Sequence, residues 1–162
     1  MLKYVDTKVV FQEIPDEVTL AINISNCPCG CKGCHSPYLA EDIGEILTTE
    51  VLEKLVKDNN GITCIAFMGG DSEPWEIHTL AMFIRESFPE IKTAWYSGRD
   101  KIHSCIELNL QDFDYIKTGP YIEKLGPLTS KTTNQRFYEI GRIKGIPMKC
   151  IPIDITHKFW KQ

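Results

Sequence analysis

Residues 62–68, Ile-Thr-Cys-Ile-Ala-Phe-Met, form a continuous apolar run with none of the polar alternation of a half-exposed strand. A strand of this kind has to be covered on both faces, which restricts the chain to folds in which a sheet is sandwiched. Gly69-Gly70-Asp71 then makes a turn. From about Pro74 the pattern becomes helical: Ile77, Leu80, Ala81 and Ile84 fall at i, i+3, i+4 and i+7, proline suits a first turn, and the pattern stops by Phe88-Pro89. Strand, turn and helix in this order are the unit of a parallel sheet with right-handed crossovers.

The same unit precedes and follows it. Residues 9–11 and 18–24 are apolar and rich in β-branched side chains, separated by the turn at 14–17. Thr48 or Thr49 caps a helix in which Val51/Leu55 and Leu52/Val56 recur four apart, ending at Asp58-Asn59-Asn60-Gly61. Further strands are expected over 91–96 and 114–117 and near 137–140 and 149–153, with a weaker short helix over 100–107. At 162 residues the chain is too short for a complete eight-unit barrel of about 250. The fold class expected is therefore α/β, a partial, open β/α barrel with a mostly parallel sheet, formed as one domain over 1–162. Ligands of such folds collect at the carboxyl ends of the strands, where the chain's glycine and cysteine motifs fall.

Between the second strand and the first helix lies Cys27-Pro28-Cys29-Gly30-Cys31-Lys32-Gly33-Cys34-His35. Cys27, Cys31 and Cys34 have the spacing C-x3-C-x2-C, which wraps thiolates around one inorganic cluster. Iron–sulfur cubanes ordinarily take four cysteine thiolates, one per iron, so three leave one iron open to a substrate or cofactor. A structural zinc would close a tetrahedron, commonly from two short knuckles, and no second pair follows. Cys29, flanked by Pro28 and Gly30, either points away from the cluster or has a ligand or repair role. Cys64, Cys105 and Cys150 read as packing residues, since a buried thiol behaves as a small hydrophobe.

Seven cysteines, an odd number with four in eight positions, suit metal binding in a reducing compartment better than a disulfide framework. An apolar share of 43% is enough for a core that needs no disulfides. Net charge is −4 and the cations are scattered among acids, so nucleic acid is not an expected partner. No apolar stretch approaches the ~20 residues of a membrane span, and residues 1–6 lack the apolar region of a signal peptide; a cytoplasmic location follows as the expectation. No Ser/His/Asp nucleophile set, Walker-type phosphate loop or glycosidase-like carboxylate pair is present.

Five motifs in this order, the cysteine loop, Phe67-Met68-Gly69-Gly70-Asp71, Tyr96-Ser97-Gly98-Arg99, Lys117-Thr118-Gly119-Pro120-Tyr121 and Thr132-Thr133-Asn134-Gln135-Arg136, make the stretch from Phe11 to Tyr138 resemble the radical S-adenosylmethionine (SAM) superfamily. Within it, the resemblance is to the activating proteins of anaerobic ribonucleoside-triphosphate reductases. It implies a 4Fe-4S cluster on Cys27, Cys31 and Cys34, and SAM held near Gly33, Cys34, His35, Gly69, Gly70, Asp71 and Ser97, with no catalytic residue beyond these ligands. Asp71 stands where the superfamily more usually has glutamate, and Gly33 where it often has an aromatic residue. His35 either takes over a nucleoside contact or lies at the surface; Arg99 either pairs with a carboxylate or is exposed at a helix start; the role of Thr133-Asn134-Gln135-Arg136 stays open, and Tyr115, Lys117 and Tyr121 read as core or rim packing. The activity implied is reductive cleavage of SAM to place a glycyl radical on the large reductase subunit, with an external low-potential electron donor such as flavodoxin, and the small size of the chain agrees with a substrate loop delivered by a partner. The alternatives are activation of another glycyl radical enzyme, a small radical SAM synthase, or a structural metal module without catalysis.

Overall fold

A computed structural model describes residues 1–100, 110–146 and 150–160. They form one eight-stranded sheet from β1 (Lys3–Val10), β2 (Thr19–Ile24), β3 (Glu45–Ile46), β4 (Cys64–Met68), β5 (Lys92–Tyr96), β6 (Tyr115–Thr118), β7 (Arg136–Arg142) and β8 (Cys150–Asp154), in the order β3-β1-β2-β4-β5-β6-β7-β8. Two α-helices, α1 (Thr49–Asp58) and α2 (Pro74–Ser87), carry the crossovers from β2 to β4 and from β4 to β5. The strand expected from residue 149 begins at Cys150 among the described residues, and the helix expected over 100–107 lies outside them.

The mostly parallel, partial-barrel expectation is overturned. Parallel pairing is confined to β2-β4-β5-β6, while β3-β1, β1-β2, β6-β7 and β7-β8 are antiparallel, so the sheet is mixed and antiparallel pairings outnumber parallel ones. The cause is the length and content of the connections. A parallel neighbour needs a crossover of a dozen residues or more, usually helical. The links from β1 to β2 and from β7 to β8 are too short for one, and the longer link from β6 to β7 forms turns instead of a helix.

The strand whose composition demanded two covered faces has them. On one side, Ile65 and Phe67 of β4 join Leu52 and Val56 of α1 and Ile77, Leu80, Ala81 and Ile84 of α2. Thr48 starts α1 by accepting a hydrogen bond from the Val51 amide at 3.3 Å, and Pro74 opens α2. On the other side, Cys64 and Ala66 of β4 meet Ala94, Tyr115 and Phe137 under a cover of irregular chain bearing Ile14, Leu128 and Ile155. Both helices thus sit on one face, and loops close the second.

At the amino ends of the parallel strands the buried Glu17 carboxylate accepts hydrogen bonds from Thr63 Oγ1 at 2.5 Å, from Tyr115 O–H at 3.2 Å and from the Lys92 ammonium, joining the entries to β2, β4, β5 and β6. Glu17→Ala is expected to destabilise the fold by about 1–3 kcal/mol in urea unfolding, because the Thr63 and Tyr115 hydroxyls lose their acceptor while Lys92 is free to turn to solvent. The Glu17 carboxylate raises the Lys92 pKa above its ordinary value. A raised folded pKa means that the Lys92 contribution is complete below about pH 10.4 and is lost as pH climbs through the raised value, so the gap between wild type and Glu17→Gln should narrow there.

Candidate cofactor site

The four parallel strands point the same way, so the loops that follow them emerge at one edge of the sheet. Because β7 runs against β6, the segment entering β7 arrives at that same edge. Topology alone therefore brings together the cysteine loop, Gly69-Gly70-Asp71, Ser97-Gly98-Arg99, Thr118-Gly119-Pro120 and Asn134-Gln135.

After β2 the chain leaves the sheet through Ser25 and Asn26, the latter in a left-handed conformation at φ 58°. The loop's base is pinned where the Asn26 and Cys27 amides donate to the Glu41 and Leu39 carbonyls, each at 2.9 Å. Inside the loop the Cys34 amide donates to the Cys31 carbonyl at 3.2 Å and the Ser36 amide donates to Cys34 Sγ at 3.4 Å. Cys27, Cys29 and Cys31 are half-buried, Cys34 is exposed, and all four are free thiols. They line a cavity of about 530 Å³, within the roughly 300–1,000 Å³ usual for small-molecule sites.

Asp71 forms the floor of that cavity and is 1% exposed. Its Oδ1 accepts a hydrogen bond from Ser97 Oγ at 2.6 Å and lies 3.8 Å from Arg99 Nε; its Oδ2 accepts from the Gly98 amide at 2.8 Å and from Cys29 Sγ at 3.6 Å. Arg99 also donates to the Asp71 carbonyl at 2.9 Å. Arg99 is half-exposed, and the carboxylate it approaches belongs to this chain. The acid of the glycine-glycine-acid motif is thus engaged from within the protein. Gly69 borders the cavity at φ 105°, with its carbonyl accepting from Trp95 Nε1 at 2.8 Å. Gly70, at φ 90°, faces α2 instead: a Cβ there would lie 2.5 Å from Ile77 Cδ1.

Cys29 is directed at Asp71, and burial with the nearby Asp71 charge pushes its thiol up to about 12. Gly98 makes room for it, since a Cβ on Gly98 would lie 2.5 Å from Cys29 Sγ and 3.1 Å from Cys29 Cβ. Gly98→Ala is expected to expel the thiol and shift the cysteine loop, lowering the cluster content after reconstitution. Adding Cys29→Ala should restore it, and a double mutant no better than Gly98→Ala would rule out this steric account.

Sequence reasoning missed Lys117, the last-but-one residue of β6. It is 8% exposed, lines the cavity, and donates to the Gly119 carbonyl at 2.7 Å and the Ser97 carbonyl at 3.2 Å. Burial lowers its pKa to about 8, against the opposing pull of Asp71 and the cysteine sulfurs. The available signal was a lysine inside a short strand, between Ile116 and Thr118. Gln135, also buried against the cavity, donates to the Gly119 carbonyl at 3.4 Å, and Asn134 donates to the Pro120 carbonyl at 3.0 Å.

Of the expected site residues, Cys27, Cys31, Cys34, His35, Gly69, Asp71 and Ser97 share the cavity wall. Gly33 and Gly70 are not part of that wall. Gly33, at φ 77°, lies 3.4 Å (from an added Cβ) from the ring of Tyr121, which is also 5.5 Å from the His35 ring between centroids. Among the described residues no three His, Cys, Asp or Glu side chains gather as a site for a metal ion. Thiols on one cavity wall are the donor type that an iron–sulfur cluster takes.

The geometry defines a protein with a mixed sheet and a thiol-lined cavity at the carboxyl edge of its parallel strands. Residues 18–136 match the family described as 4Fe-4S single cluster domain, and the chain belongs to that family. No curated protein and no solved structure matches it significantly. Among the described residues, no helix is long and apolar enough to cross a membrane.

Proposed function

We propose that this protein is a radical SAM activase, which cleaves SAM reductively at a 4Fe-4S cluster to install a glycyl radical on the large subunit of an anaerobic ribonucleoside-triphosphate reductase. The observation that carries this reading is the meeting of a three-plus-one cysteine loop with the loops after β4, β5 and β6 around one cavity. Cys27, Cys31 and Cys34 are the cluster ligands in this reading, and Cys29, turned to Asp71, is not. When bound and reduced by a donor such as flavodoxin, the cluster supplies the electron that breaks a carbon–sulfur bond of the sulfonium, giving methionine and a 5′-deoxyadenosyl radical that takes a hydrogen atom from the partner's glycine.

The chain's own residues bind and orient. The Gly69 backbone lies in the cavity wall, where the absence of a side chain lets the methionine amino group approach. Ser97 is fixed by its bond to Asp71, so the wall of the cavity is preorganised before any ligand arrives. His35 and Tyr121 provide the ring surfaces against which a nucleoside can lie, beside the Gly33 and Cys34 backbone.

Anaerobic reconstitution tests the reading. The reduced protein should give an electron paramagnetic resonance spectrum that SAM perturbs, release methionine and 5′-deoxyadenosine with dithionite, and produce a glycyl radical on the reductase. SAM turnover without a radical on the reductase would leave a different activation target. No turnover and an unperturbed spectrum would reduce the site to a structural cluster.

A further inference from the structure

The geometry points to Lys117 as a fixed counter-cation for the cofactor: we propose that its ammonium offsets the negative charge of the thiolate-bound cluster, stabilising the cluster in the cavity and raising its reduction potential. The inference rests on the cluster reading above and concerns a residue to which that reading assigns no task.

A lysine buried at 8% exposure has to have its three N–H donors and its charge accounted for. Two donors go to the Ser97 and Gly119 carbonyls, which are neutral. Among the described residues no carboxylate is within ion-pair distance of Lys117. The nearest candidate is Asp71, whose oxygens are taken by Ser97 Oγ, the Gly98 amide, Cys29 Sγ and the Arg99 guanidinium. The protein thus keeps an ammonium out of water on a cavity wall with Asp71 as its main charged neighbour but no ion pair of its own, an arrangement that burial disfavours. Such a group is stable when an anion enters the cavity.

After Asp71, the groups nearest to hand that carry negative charge once a cluster is bound are the cysteine sulfurs. Cys27, Cys29 and Cys31 all interact electrostatically with Lys117, and burial otherwise disfavours its charge. Three thiolates on a cubane carry net negative charge, which grows by one unit when the cluster takes an electron. A cation held in a low-dielectric wall therefore favours the bound over the empty site, and the reduced over the oxidised cluster. The Ser97 and Gly119 carbonyls fix the position of the ammonium, so its field does not depend on a mobile side chain.

Lys117→Met and Lys117→Arg, compared with wild type, provide the test. In the cluster-free protein, Lys117→Met should raise the urea midpoint, because a buried charge with no ion pair of its own has been replaced by an apolar chain of similar length while Gln135 still donates to the Gly119 carbonyl; a lowered midpoint would mean that Lys117 is an ordinary structural residue and would overturn the proposal. In the reconstituted protein without SAM, potentiometric titration should give Lys117→Met a more negative midpoint, with the ratio of reduced to oxidised cluster about tenfold lower at a fixed potential. Lys117→Arg should stay near wild type. If Lys117→Met takes up no cluster, uptake restored by Lys117→Arg supports the charge requirement, and failure of both variants counts against it. An unchanged potential, including the case where only SAM affinity falls, overturns the proposal by assigning Lys117 to the SAM carboxylate or to no ligand. A wild-type cluster that ignores SAM would instead sink the radical SAM reading and leave the comparison of potentials intact.

Discussion

Replacing Cys27, Cys31 or Cys34 by alanine is expected to abolish the iron–sulfur centre, whereas Cys29→Ala is expected to retain it. In the proposed ligation each substitution removes one of three protein bonds to the cluster. Loss of an outer partner of a metal ligand already weakens a site by about 10–100-fold, so loss of a direct ligand should leave little iron or sulfide after reconstitution. Cys29 differs because its sulfur is directed at Asp71 Oδ2, 3.6 Å away, in the space left by Gly98. Iron and sulfide per chain, measured for all four variants, decide the matter. A Cys29 variant as empty as the other three would mean that four cysteines hold the cluster, and the open iron that the proposed SAM cleavage needs would be gone.

Asp71→Ala should be the most destabilising single substitution at the site, by about 3–5 kcal/mol in urea unfolding of the cluster-free protein. The carboxylate is buried and receives only donors: a hydroxyl, an amide, a thiol and a guanidinium. Alanine strands the hydroxyl, the amide and the thiol, and removes the main negative charge acting on the buried Lys117. Asparagine does not repair the site, since one side of its amide would present N–H groups to the Gly98 amide or to the Ser97 hydroxyl. If Asp71→Ala unfolds at the wild-type urea concentration, Asp71 does not organise the loops after β4 and β5, and the preorganised wall ascribed to it disappears.

The periodicity of 62–68 and 74–87 revealed a strand covered on both faces and the helix after it, because each pattern is local and repeats within one element. The same holds for α1, whose cap at Thr48 is readable from one residue type beside an apolar repeat. β1 was legible only at its end, since Lys3, Asp6 and Lys8 break the apolar signal on a strand that is largely half-exposed. β3 was not foreseen at all: two exposed residues carry no pattern, and only pairing with Lys3 and Tyr4 makes them a strand.

By itself the sequence pointed to an iron–sulfur cluster and to motifs at strand ends, because cysteine spacing and apolar repeats are written in neighbouring residues. Tertiary structure decided the direction of the outer strands, the engagement of Asp71 by Ser97, Gly98 and Cys29, and the burial of Lys117. These are pairings between residues far apart along the chain. Whether two such groups meet depends on how the intervening elements close, and no local pattern of side chains encodes that.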